Sequence, residues 1–351
     1  MRRRRAVVTA LVVAAVAAGG AAWYASSGSG NRGAVPPGPA LPVGVATHPW
    51  VLDAADSAQA WQAVHNLRTR VIRVDASWAA VESQPGSFNW AGLDSVVNTA
   101  NRDHVRLIFA VHATPSWANG GLGPTAPPTQ VATFAGFARA LASRYRGHHI
   151  VYEVWNEENA PFGWGGPVQP ARYAALLEAA SKAIHATDRS ATVLVGGFAQ
   201  SRKAGVVRAV QFLHDLYALG AGNAFDGVAY HPYARGSPVA PGAALVRQVP
   251  LLRAAMVRAG DADKDIWVTE FGYPITPARG AVKVAALERG AIQYTAAHYP
   301  YVAVFVIYEL VDEGRSLFGL YDHSWDPRPA ARMLAAALSP AGTVPRAKVR
   351  Q

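Results

Sequence analysis

The chain has 351 residues, 51% hydrophobic and 16% charged, which allows one large domain or two ordinary ones around a sizeable core. Its net charge of +10 is an end effect: Arg2 to Arg5 and Arg32 lie in the first 33 residues and Arg346, Lys348 and Arg350 near the last, leaving +2 for residues 34–336. A near-neutral body without a basic run excludes a nucleic-acid surface that tracks phosphates, and the absence of cysteine excludes disulfides, thiolate metal sites and a cysteine nucleophile.

Residues 1–24 read as a signal peptide or a membrane anchor. Arg2 to Arg5 form a charged head, and residues 6–22 are a run of Ala, Val, Leu, Thr and Gly through which the chain would attach to a membrane. The run is short for a span of roughly 20 residues and long for a signal core of about 7–15. Either reading predicts export, with the protein secreted or anchored at the cell envelope. Residues 25–40, rich in Ser, Gly and then Pro, read as a flexible linker.

From Leu41 onward, β-rich runs alternate with alanine-rich amphipathic runs. Residues 41–48 predict strand one and 54–67 its helix; 71–78 strand two and 90–102 the second helix. Strand three is expected over 105–111, with a helix over 129–145. Strand four spans 150–157, and Pro170 opens a helix to about Ala186. Residues 191–197 and 206–219 form the fifth pair, and 227–233 and 243–258 the sixth. Residues 266–270 and 282–299 form the seventh, and 302–309 and 328–337 the last. Parallel strands need crossovers, and eight right-handed crossovers close a (β/α)8 barrel, a single domain over 41–338. The rival is an open doubly wound sheet, but no strand leads into GxGxxG or GxxxxGKS. Residues 339–351 read as a disordered tail.

In a barrel the C-terminal strand ends line one mouth. Those ends are Thr47 and His48, Arg73 and Asp75, His112 and Trp117, Asn156 and Glu157, His231 and Tyr233, Glu270, and Tyr308 to Glu313. Carboxylates, amides, imidazoles and indoles at one mouth suit a neutral polyhydroxylated ligand. Strand alternation would put Glu153, Trp155 and Glu157 on one face and Tyr152, Val154 and Asn156 on the other. Glu157 and Glu270 end their strands 113 residues apart. Two carboxylates are the minimum for cleaving a glycosidic bond, and their separation sets the stereochemistry.

YEVWNEEN (residues 152–159) and WVTEFGY (residues 267–273), on strands four and seven, resemble the clan A retaining glycoside hydrolases, and most closely the family 39 and cellulase-like group. The resemblance covers the barrel, 41 to about 337. It implies Glu157 as acid/base, Asn156 bonding the sugar 2-hydroxyl, Glu270 as nucleophile and Arg73 orienting it. His231 and Tyr233 match the strand-six pair beside the nucleophile. TPSWA (residues 114–118) resembles a stacking loop, and FGLYDHSWDPRPA (residues 318–330) a segment that leads into the final helix. Two positions depart from the pattern. Glu158 replaces a common proline, which predicts a rim charge, and Val306-Ile307-Tyr308 lack a common tryptophan, for which Tyr308, Trp164 or Trp117 would substitute.

His48 and His112 are further candidates for substrate contact, and Glu153 is expected to pair with an arginine. Repulsion should hold the pKa of Glu157 above that of Glu270, while Arg73 keeps Glu270 ionised. No HxH, HExxH or GxSxG occurs, so no metal, cofactor or serine triad is expected. The expectation is a retaining O-glycosidase acting on a carbohydrate outside the cytoplasm. The alternative is a non-catalytic glycan-binding envelope protein on the same fold.

Overall fold

The computed structural model describes residues 38–53, 57–338 and 345–346. The expected signal or anchor and most of the expected linker and tail lie outside the described residues. Where those two segments are described they meet: Gly38–Ala40 pairs antiparallel with Pro345–Arg346.

Eight parallel strands close into a barrel in chain order. They are β1 (Val43–Thr47), β2 (Val71–Ser77), β3 (Arg106–His112) and β4 (Val151–Asn156), then β5 (Thr192–Ala199), β6 (Gly227–His231), β7 (Asp265–Val268) and β8 (Val302–Tyr308). Closure comes from β8 against β1, with Val43 beside Phe305 and Ala46 beside Tyr308. The helices between them are α1 (Ser57–Leu67), α2 (Ala91–Arg102), α3 (Val131–Arg144) and α4 (Pro170–Thr187), then α5 (Ala209–Ala218), α6 (Ala244–Arg258), α7 (Ala281–His298) and α8 (Pro329–Ala337). Every expected strand and helix is present, with ends within three residues.

The reason lies in the two periods of the sequence. In α3, Phe134, Phe137, Ala138, Leu141 and Ala142 recur at helical spacing and are buried. The strands put one face against such helices and the other into the lumen. Ala46, Val71, Ile108, Val151, Leu194, Ala229, Trp267, Val304 and Val306 form a separate apolar cluster, which is the packed interior of the cylinder. Further along the same inward rows apolar gives way to ionic, as in Val71, Arg73 and Asp75 of β2.

β4 departs from simple alternation. Trp155 has φ +80° and Glu157 φ +56°, left-handed conformations that L-residues adopt rarely. The flip turns Trp155 out to the helix layer, where its Nε1 donates to the Gly163 carbonyl and its ring meets Phe134 and Trp164. Asn156 turns inward instead. The expected faces of Trp155 and Asn156 are therefore exchanged, while Glu153 and Glu157 both point into the lumen.

Glu158, expected at the rim, is fully buried. The left-handed turn at Glu157 carries it back beneath the strand, where a Cβ on Gly196 would stand 2.1 Å from its carboxylate. Burial pushes its pKa well above the usual range, so it is held as the neutral acid.

The segment that resembles a lead-in to the final helix is pinned by one ion pair. Arg328, which caps α8, bonds both oxygens of buried Asp312 and donates to the Gly319 carbonyl at 2.8 Å. Gly319 N–H donates to Asp312 at 2.9 Å. Removing one partner strands a buried charge, at a cost of about 3–5 kcal/mol. Arg328→Ala should lower the unfolding free energy by about 3 kcal/mol in urea denaturation; a loss below ~1 kcal/mol would mean that the pair does not hold the segment.

Candidate active site

Arg73 stands at the centre of the mouth, 3% exposed. Its Nη2 donates to Glu153 at 2.7 Å and to Asn156 Oδ1 at 2.8 Å, its Nε to Glu153 at 3.2 Å, and its Nη1 to Glu270 at 2.8 Å. One guanidinium from β2 thus ties strand four to Glu270, two residues beyond β7. Burial opposes its charge, but Glu153 and Glu270 outweigh burial, so its pKa rises and it stays cationic. The expected arginine partner of Glu153 is Arg73.

Both oxygens of Glu270 are held: Oε1 by Arg73 and Oε2 by the Tyr233 hydroxyl at 2.9 Å. Burial raises its pKa, yet the charges of His231 and Arg73 and the Tyr233 bond prevail, leaving Glu270 below the usual carboxylate range. The expectation that Arg73 keeps Glu270 ionised agrees with this geometry. Tyr233 itself is pushed well up by burial and by Glu270, so it remains a donor.

His231, fully buried, lies between the two glutamates. Its Nδ1 is 3.3 Å from Glu157 Oε1 and 3.6 Å from Glu270 Oε2, and its Nε2 is 3.1 Å from the Thr269 hydroxyl. One donor atom from each of Glu157, His231 and Glu270 lies within 4.8 Å of the others. Burial lowers the His231 pKa, but Glu270 and Glu157 raise it further than burial lowers it.

The glycine pair of β5 makes this possible. A Cβ on Gly197 would sit 2.0 Å from His231 Nε2, and the β5–β6 register shifts between Val195 and Phe198. As a sequence feature, Gly196-Gly197 is too little for a phosphate loop; its purpose is room for His231 and Glu158. Thr269 was not among the expected site residues, although it directly precedes Glu270.

Asp75 gathers the remaining histidines. His48 Nδ1 lies 2.6 Å from Oδ2 and His112 Nε2 3.1 Å from Oδ1. Burial works against its charge, but His112 and His48 hold Asp75 well below the carboxylate range. Trp50, absent from the sequence-based candidates, is 58% exposed and stacks on His48 at 4.3 Å. An indole two residues past a strand-end histidine was the available signal.

Of the three expected substitutes for the missing tryptophan, Tyr308 is the one within electrostatic reach of Glu270. Its ring meets Phe318 at 5.6 Å, as does that of Tyr233 at 6.2 Å. Trp164 is 2% exposed and enclosed by Trp155 and Tyr173, so it is a core side chain and not a sugar platform. Trp117 is half-buried, its ring perpendicular to that of Trp78 and its N–H bonded to the Glu82 carbonyl at 3.0 Å.

A family model for cellulase (glycosyl hydrolase family 5) matches residues 38–279. The chain belongs to that glycosyl hydrolase family. That family belongs to clan A. It is similar to a family 39 glycoside hydrolase from the gut symbiont Bacteroides cellulosilyticus WH2, at 20% identity and TM-score 0.70 over 86% of this chain and 64% of that one. A monomeric beta-xylosidase from Caulobacter crescentus CB15 aligns at 19% identity and TM-score 0.70, over 88% of this chain and 70% of the other. A family 5 subfamily 18 protein from Streptomyces cattleya, solved with Manb1-4GlcNAc, aligns at 16% identity and TM-score 0.67, over 87% and 83%. The chain therefore spans less than two thirds of the family 39 enzyme. No curated protein matches it.

Because Glu270 is held below the usual range of about 4.3, it stays ionised as pH falls through that value. The acid limb of kcat/KM should lie below that value, and Tyr233→Phe should move it upward; a wild-type limb above it contradicts a Glu270 held ionised by its partners. Gly197→Ala should push His231 aside and lower kcat/KM about 100-fold or more while circular dichroism shows a folded barrel.

Proposed function

We propose that this hydrolase cleaves O-glycosidic bonds with retention, Glu270 acting as nucleophile and Glu157 as acid/base. The observation that carries this reading is the separation of the two carboxylates, with one oxygen of each within 4.8 Å of the other across His231. Retaining enzymes hold their carboxyl groups about 5–5.5 Å apart, whereas ~6.5–9.5 Å leaves space for an inverting water.

In the first step Glu270, already ionised, attacks the anomeric carbon while Glu157 gives its proton to the departing oxygen. The product is a glycosyl ester on Glu270 and a free alcohol. In the second, Glu157 takes a proton from water, the oxygen attacks the same carbon, and Glu270 leaves as carboxylate. Asn156 is preset for this work: its Oδ1 accepts from Arg73, so its NH2 is the group able to donate to the sugar 2-hydroxyl. Tyr233 and Arg73 fix the attacking carboxylate before substrate arrives.

A cleft of about 630 Å3 extends from Tyr233 past Gln200, Arg202 and Arg235, room for sugar units beyond the one being cleaved. Together with the charged, apolar N-terminal run, it supports an oligosaccharide or polysaccharide outside the cytoplasm as substrate. Among the described residues no helix is long and apolar enough to cross a membrane. A glycan-binding protein without turnover would have no use for a preset nucleophile beside a second acid.

A panel of aryl glycosides and cell-wall polysaccharides, read by product analysis, tests the reading. Glu270→Gln should lose more than the ~10²–10⁴-fold typical of removed acid–base catalysis. Glu157→Gln should fall within that range, least for substrates with acidic leaving groups. A 2-fluoro sugar should label Glu270; sugar binding without label or turnover would favour the binder.

A further inference from the structure

Three side chains that the two steps above do not use converge where β1 ends and the chain leaves β8. One donor atom from each of His48, Glu309 and Glu313 lies within 4.8 Å of the others. Glu309 is 1% exposed, and neither of its oxygens accepts a hydrogen bond of good geometry, the Tyr308 hydroxyl being the donor beside it; Oε1 of Glu313 is likewise unpaired, with the Trp50 indole beside that carboxylate. Among the described residues no lysine or arginine makes an ion pair with either glutamate, and His48 is the ion-pair partner of Glu313. Buried carboxylate oxygens are normally satisfied, and two carboxylates facing one another repel. A cation between them would meet both demands.

The histidine is set up in the same sense. Asp75 Oδ2 lies 2.6 Å from His48 Nδ1. An ionised carboxylate only accepts, so Nδ1 carries the hydrogen. The other nitrogen, Nε2, then faces Glu313 at 3.3 Å. A ligating imidazole characteristically donates its second N–H to a carboxylate, which fixes the ring and raises the basicity of the free nitrogen.

We propose that His48, Glu309 and Glu313 bind one first-row divalent metal ion, of the Zn2+ or Mn2+ kind, with Asp75 fixing the imidazole. One nitrogen and two carboxylates suit these ions, whereas Ca2+ and Mg2+ prefer all-oxygen shells. Three protein ligands leave coordination positions for water or a hydroxyl. No sequence motif announces the set, because its members lie at opposite ends of the barrel's chain and meet only when β8 pairs with β1.

The test is calorimetric titration of the chelator-treated full chain, without a polyhistidine tag, with ZnCl2, MnCl2 and MgCl2. One equivalent of Zn2+ or Mn2+ per chain is expected, bound at least tenfold more tightly than Mg2+. Glu309→Gln and Glu313→Gln should each weaken binding tenfold or more, and Asp75→Asn about 10–100-fold. Glu313 lies at the edge of the site, so Glu313→Gln keeps the test sound even where Glu309→Gln is unstable. Glu270→Gln should leave the affinity within about threefold. Absence of stoichiometric uptake, which is the outcome if His48 is simply an imidazolium paired with Asp75 and Glu313, overturns the proposal. So does binding that survives both glutamine variants, or that disappears in Glu270→Gln and so belongs to the catalytic pair. None of these readings needs turnover, so they stand apart from the hydrolase assignment.

Discussion

A single buried guanidinium sets the architecture of the mouth. Arg73 is shut away from water, and a cation there is tolerable only if carboxylates surround it with good geometry. It finds Glu153, Glu270 and the Asn156 amide oxygen at 2.7–3.2 Å. Each of those partners is therefore fixed as well. Glu270 is ionised and oriented, the Asn156 amide is held by its oxygen, and strand four is linked to the chain beyond β7. The placing of Glu153, Asn156 and Glu270 follows from neutralising one charge inside a barrel.

The lumen has a gradient of chemistry that follows from this. Its deeper rows are filled by Val71, Ile108, Val151, Leu194 and Val304, which need nothing but contact. The rows toward the mouth hold Arg73, Glu153, Asp75 and His231, which need partners. Space for them is made by omission. Gly196 and Gly197 lack the side chains that would collide with Glu158 and His231, and a flipped Trp155 leaves the lumen to Asn156. Glu157 and Glu270 beside His231, and Glu309 and Glu313 beside His48, give the mouth two separate acidic clusters. Asp75, close to both Arg73 and His48, lies between them.

Much of the fold was legible because its causes are local. Helical spacing in α3, alternation in β2 and the proline that opens α4 are written in adjacent residues, and the expected ends fell within three residues of those observed. The paired glutamates were legible too, since a carboxylate that ends an apolar strand can meet water or a ligand only at the mouth. Three expectations failed at one place, the end of β4, where the period of two is broken. Left-handed backbone at Trp155 and Glu157 exchanged Trp155 with Asn156 and buried Glu158, and Trp164 became the wall against which Trp155 packs.

The sequence alone determined eight alternating units, hence a closed parallel barrel, and with it the mouth to which Glu157 and Glu270 must go. It did so because period and crossover length are properties of short stretches of chain. Only the tertiary structure decided which residues meet there: the Arg73 hub, His231 held by Thr269 between the two acids, Asp75 joining His48 to His112, and Glu309 beside Glu313. Those pairings depend on how strands far apart in sequence register around the cylinder and on a backbone flip that no propensity encodes.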